Sequence, residues 1–169
     1  MTSPASLQHR AQIEDALLSY CRGIDRLHAP SIEAAFHRDA MLEGYGSDEP
    51  VQIDAFVPRV IGSLREKFVA TQHRLSNVTI TLDHDRALVE SYVLAYHVAH
   101  HDDHQHDGRR VLITFNGRYI DQFERRDDAW RIARRQLRID WSDISPMGEA
   151  MQGAYIPSGR DGSADPVFS

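Results

Sequence analysis

Four residues are out of keeping with their neighbours: Asp25, His73, His97 and Arg135. Asp25 lies four residues after Cys21 and eight after Leu17. That spacing sets it on the apolar stripe of a helix, where a carboxylate is costly unless it is paired. The alternative is a helix ending near Gly23, with Asp25 capping or turning in solvent. His73 opens a strand in Thr71-Gln72-His73. A lone histidine there is structural unless it has a partner. Beside a carboxylate in a dry pocket it is a general base, because the carboxylate fixes the tautomer and imidazole titrates near neutral pH. His97 shares a strand face with Val89, Ser91, Val93, Ala95 and Ala99. These small neighbours suit the wall of a hollow, or equally a satisfied core histidine. Arg135 falls by alternation with Ala133, Leu137, Ile139 and Trp141. A guanidinium among apolar residues holds an anion or a developing oxyanion, or it snorkels to the surface.

Composition narrows the classes these residues can serve. The chain has 169 residues, 41% hydrophobic and 26% charged, which fits one soluble globular domain with its own core. Lys+Arg 19 against Asp+Glu 25 gives a net charge of −6. That balance argues against a nucleic-acid or anionic-membrane partner. A single cysteine, Cys21, excludes an internal disulfide and a cysteine-rich zinc finger, and suits a reduced, cytoplasmic setting. No apolar run approaches the roughly 18 residues of a membrane span, and the first residues lack the apolar region of a signal peptide. The cluster His100, His101, Asp102, Asp103, His104, His106 and Asp107 invites a metal. It falls in a hairpin connection where nothing fixes ligand geometry, so it reads as a solvated loop, and no metal is expected. There is no glycine-rich phosphate loop, nucleophile elbow or HExxH, so a nucleotide-dependent redox reaction has no support and no cofactor is expected.

The elements that must position these residues change period along the chain. Helical spacing runs from about Leu7 to Arg26 through Ile13, Ala16, Leu17, Tyr20, Cys21 and Ile24. Ser31 suits the N-cap of a short second helix, Met41 to Tyr45 a short strand, and Gln52 to Phe68 a third helix. Gln72–Leu82, Arg86–Ala99, Arg110–Arg125 and Trp130–Trp141 are rich in Val, Ile, Thr and Tyr and are bounded by turn residues. Helices followed by an antiparallel meander make an α+β fold, a curved sheet with helices on one face. One domain over 1–145 is expected. The Gly-, Ser-, Pro- and Asp-rich stretch 146–169 is expected to be an extended tail that closes a cavity or packs on a neighbouring copy.

Several local patterns then fall in a telling order. They are Ile24-Asp25-Arg26 at the end of the first helix, Thr71-Gln72-His73, Gly117-Arg118-Tyr119-Ile120-Asp121, and the hairpin Glu124 to Ile132 around Asp127-Asp128. Trp141 follows eleven residues after Trp130. Together they resemble the nuclear transport factor 2-like superfamily, in its SnoaL-like and scytalone dehydratase-like branch, over about 8–145. The resemblance implies a cone: a strongly curved antiparallel sheet wrapped on N-terminal helices, with a deep cavity at its open end. It sets Asp25 and His73 where scytalone dehydratase and hexachlorocyclohexane dehydrochlorinase carry an Asp–His dyad. It sets His97 at a second catalytic histidine, and Arg135 at an arginine near the leaving group. Tyr20 resembles the active-site tyrosine of a bile-acid dehydratase, and Tyr45 a tyrosine that holds a water. Gly117 and Tyr119 stand where scytalone dehydratase places a serine and an asparagine, and Tyr20 stands where the dehydrochlorinase has a lysine. Neither substrate is therefore copied over.

The expected function is a cofactor-independent lyase. His73 would take a proton from an aromatic, polyketide-like or steroid-like molecule in a hydrophobic cavity, with Asp25 orienting it. Water, halide or formaldehyde would leave. Catalytic roles are expected at Asp25, His73 and His97, and substrate contacts at Tyr20, Tyr45, Tyr119 and Arg135. The alternatives are a ketosteroid-type isomerase, the non-catalytic small subunit of an aromatic-ring hydroxylating dioxygenase, and a small-molecule binding module. A homodimer or homotrimer is expected, because sheets of this kind expose a broad outer face.

Overall fold

The computed structural model describes residues 4–101, 109–149, 153–154, 160 and 162–168. Helix α1 spans Pro4–Arg26 and buries Ile13, Ala16, Leu17, Tyr20, Cys21 and Ile24, the stripe that the spacing marks. It does not stop at Gly23. Leu27 ends it in the left-handed region at φ 54, and His28 N–H reaches back 2.8 Å to the Gly23 carbonyl, the six-to-one bond of a Schellman end. Asp25 therefore stays in the last helical turn. Gly23 has a different reason. A Cβ there would meet Ile32 Cγ1 at 2.6 Å, so the glycine lets α2, Ala29–Ala34, pack directly on α1. Ser31 does not cap α2. His28 holds the cap position, and the Ser31 hydroxyl pairs with His28 Nδ1 at 2.8 Å.

Strand β1 covers Phe36–Glu43, earlier than the sequence pattern suggests, because Phe36, His37, Ala40 and Leu42 face the interior. Two residues, Val51–Gln52, form β2, and α3 follows over Ile53–Lys67. Then come four long strands: β3 Phe68–Asp83, β4 Arg86–His101, β5 Arg110–Arg126 and β6 Ala129–Pro146. Each pairs antiparallel with the next. The β5–β6 turn places Asp127 and Asp128 at φ 52 and 60, the two left-handed residues of a tight hairpin turn.

The α+β architecture matches the sequence reading, but the sheet is mixed and does not close. Its order is β2-β1-β6-β5-β4-β3. β1 runs parallel to β6; β2, α3 and the strands β3 to β5 lie between them in the chain, so no hairpin joins the pair. α1 lies against β3 and β6, and α3 against β1. Two bulges in β6 interrupt the simple alternation. Gln122 pairs with Arg134 and Phe123 with Ile132, leaving Ala133 extra; Asn116 pairs with Trp141 and Gly117 with Ile139, leaving Asp140 extra. A bulge shifts which residues face inward. Arg135, Leu137 and Ile139 share the inner face with Tyr119 and Gly117, whereas Ala133 and Trp141 do not, and Trp141 is exposed. Of the His/Asp-rich stretch, residues 102–107 lie outside the described residues.

Candidate active site

The last turn of α1 and the start of β3 meet at Asp25 and His73. His73 Nδ1 lies 2.7 Å from Asp25 Oδ1, and the His73 backbone N–H donates to Oδ2 at 2.9 Å. The Thr71 hydroxyl donates to Oδ1 at 3.1 Å. An ionised carboxylate only accepts, so the hydrogen-bond network puts a ring proton on Nδ1; in the neutral ring the lone pair is then on Nε2. His73 belongs to the wall of a cavity of about 460 Å³, a volume suited to a small organic molecule.

β4, paired with β3, supplies the adjoining wall. Ala87, Val89, Ser91, Val93, Ala95 and His97 all point inward and are buried. His97 sits opposite Thr71 in the β3–β4 register, which brings its ring to 5.4 Å from His73, edge to face. Phe68 and Phe115 pack on it at 4.9 and 5.3 Å. Its Nδ1 is buried with no hydrogen-bond partner. Burial, and then the neighbouring His73, push His97 down to about 4, so at neutral pH it is an uncharged ring. Between about 6.5 and about 4 the unfolded chain binds a proton here that the folded chain refuses. Stability is expected to fall as pH drops through that window. Urea midpoints near about pH 7 and about pH 4.5 should show that His97→Gln loses less than the native protein. Equal losses would mean that His97 does not carry the dependence.

The far end of the cavity is phenolic. Tyr20, Tyr45 and Tyr119 line it, and the Tyr20 and Tyr45 hydroxyls meet at 3.2 Å. Burial raises all three well above the usual phenol range, so they remain protonated donors. Gly44, also on this wall, has φ 83, and a Cβ there would strike the Leu137 carbonyl at 2.2 Å; only glycine fits the turn that carries Tyr45 inward. Tyr92 and Tyr96 alternate to the outer face, while Phe115 and Tyr119 line the cavity. Cys21 is buried, and burial pushes its thiol up to about 12, so it is no nucleophile.

Arg135 lies behind this wall and not on it. It is fully buried, and its Nε and Nη2 donate to the two carboxylate oxygens of Asp121 at 2.7 Å each. Burial opposes its charge, but Asp121 outweighs this and holds the guanidinium well above its usual value. Its Cζ stacks over the Tyr119 and Tyr20 rings at 4.0 and 4.3 Å. The arginine thus supports the tyrosine wall from below.

Two residues of the site escaped the sequence reading. Thr71 carried a signal, because it lies two residues before His73 and so shares its strand face. Arg160 carried none. It lies 135 residues from Asp25 in sequence and yet donates to the Asp25 carbonyl at 3.3 Å. Among the described residues, no group of three or more His, Cys, Asp or Glu is placed to hold a metal ion.

A family model described as a SnoaL-like domain matches residues 5–136. The chain belongs to that family. An uncharacterized protein of Mycobacterium tuberculosis is 28% identical over 141 residues, covering 80% of this chain and 88% of that protein. A candidate scytalone dehydratase from Novosphingobium aromaticivorans superposes with a TM-score of 0.68 at 25% identity, covering 86% of this chain and 97% of its own. A type 2 hexachlorocyclohexane dehydrochlorinase superposes with a TM-score of 0.69 at 17% identity, covering 88% and 95%. These neighbours share the NTF2-like fold. No helix of this SnoaL-like protein is long and apolar enough to cross a membrane among the described residues.

Proposed function

We propose that the protein is a cofactor-independent lyase that eliminates water, or a comparable small leaving group such as halide or formaldehyde, from an aromatic, polyketide-like or steroid-like molecule. The observation that carries this reading is the Asp25–His73 pair at 2.7 Å, with His73 in the wall of an aromatic-lined cavity. For loss of water, His73 Nε2 takes a proton from the carbon next to the one bearing the hydroxyl. The C–H electron pair becomes the new double bond, and the bond to the leaving oxygen breaks. The imidazolium stands against the Asp25 carboxylate while it exists, and returning its proton to the departing oxygen releases water and restores neutral His73. His97 is uncharged at neutral pH, so its part is to donate a hydrogen bond to developing negative charge rather than to supply a proton. Tyr20, Tyr45 and Tyr119 offer hydroxyl donors at the far end and hold an oxygen of the substrate.

The fold shared with a candidate scytalone dehydratase and a hexachlorocyclohexane dehydrochlorinase supports the reaction class. The test is a screen of hydroxylated aromatic and polycyclic ketones, followed by mass spectrometry with the native protein and with His73→Gln. A product lighter by one water, formed only by the native protein, is expected. An isomer of unchanged mass would replace the lyase with a ketosteroid-type isomerase. Tight binding without turnover, unaffected by His73→Gln, would leave a binding module. We further propose a cytoplasmic setting and self-association as a dimer or trimer.

A further inference from the structure

We propose that Arg160 is a positioning residue for the Asp25–His73 dyad and acts through Thr71. Its guanidinium reaches four oxygens. Nη1 donates to the Phe68 carbonyl at 2.7 Å and to the Leu64 carbonyl at 3.4 Å. Nε donates to the Asp25 carbonyl at 3.3 Å, and Nη2 to the Thr71 hydroxyl at 3.3 Å. One side chain thus ties the last turn of α1, the last turn of α3 and the start of β3, which are the three pieces of chain that set where Asp25 and His73 stand.

The bond to Thr71 has a direction. Arginine has donors only, so the Thr71 oxygen accepts from Arg160 and its single proton is left for Asp25 Oδ1, 3.1 Å away. Asp25 then receives three donors: the Thr71 hydroxyl, the His73 backbone N–H and the His73 ring. The carboxylate is held as an acceptor toward Nδ1, and the lone pair of Nε2 is kept for the cavity. Arg160 itself does not belong to the cavity wall. Further along the chain Asp165 Oδ2 pairs with Arg26 Nε at 3.1 Å, and Phe168 stacks on His28 at 3.8 Å. Both anchors fall on the corner between α1 and α2, beside Asp25. Arg160, Asp165 and Phe168 thus all meet the chain around the dyad from behind.

The proposal rests on the dyad being the catalytic base, and its test separates the two. Histidine labelled with nitrogen-15 reports the His73 tautomer, and substrate turnover reports kcat and KM. In Arg160→Gln the His73 signals are expected to move from the Nδ1–H tautomer toward a mixture. kcat is expected to fall about 10- to 100-fold, because small misplacement of a catalytic group is costly, while KM stays nearly unchanged. Arg160→Lys keeps the charge but loses the planar fork, and is expected to recover only part of kcat. Thr71→Val removes the relay while leaving the three carbonyl anchors in place, and carries the same expectations should Arg160→Gln fail to fold. Unchanged His73 signals in folded Arg160→Gln and Thr71→Val would overturn the proposal. A tautomer shift in a protein that turns over no substrate would uphold the positioning and remove the lyase.

Discussion

Replacing His73 with glutamine is expected to lower kcat by about 10²–10⁴-fold on whichever substrate the screen identifies, the range that a positioned general base contributes. The fold should survive, because the Asp25 carboxylate keeps the His73 backbone N–H and the Thr71 hydroxyl as donors. Asp25→Asn is expected to be nearly as damaging, for a reason specific to this site. The His73 backbone N–H is a fixed donor aimed at Oδ2, so the amide must place its oxygen there. Its NH2 then faces Nδ1, and that nitrogen becomes the acceptor. The ring proton moves to Nε2, and the lone pair leaves the cavity although every heavy atom keeps its place. Steady-state rates for both variants check this, with circular dichroism to confirm the fold. A His73→Gln protein with native kcat would remove the base from the mechanism.

The second large effect is on stability. Asp121→Ala leaves the Arg135 guanidinium buried without the carboxylate that pairs with it, at full burial of both side chains. Breaking a buried ion pair in this way costs about 3–5 kcal/mol. The loss is expected as a large drop in the urea midpoint. Arg135 already leaves Nη1 without a partner in the native fold, so no spare bond is in place to absorb the loss. Asp121→Leu combined with Arg135→Met should recover much of the midpoint, because the pair is then replaced by apolar side chains rather than broken. The double variant should also loosen the tyrosine wall, since the stack of Arg135 on Tyr20 and Tyr119 is lost. A single Asp121→Ala variant with native stability would show that the arginine is hydrated and not buried.

Much of this was legible in the residues, and the reasons are local. The apolar stripe of α1 places Asp25 inward, and strict alternation along β4 places His97 among small residues; both are visible because no bulge or break intervenes. β6 was not legible in the same way. Its two bulges put Arg135 and Ile139 on the inner face but release Ala133 and Trp141 from it, and a bulge leaves no mark in a period-two pattern. The partner of Arg135 was hidden for a related reason: Asp121 lies on the neighbouring strand, and only the register reveals the pair. The parallel pairing of β1 with β6 joins strands far apart in the chain, which local pattern does not record. Arg160 was the least visible. Its stretch is polar and rich in glycine, and what matters is where it returns to.

The most direct measurement of the central claim needs no substrate. Long-range proton–nitrogen spectra of the histidine-labelled native protein at neutral pH report which nitrogen of His73 carries the proton. A proton on Nδ1 and a free lone pair on Nε2 are expected, exchanged for the opposite tautomer in Asp25→Asn. A native His73 protonated on Nε2, or a tautomer indifferent to Asp25→Asn, would contradict that claim.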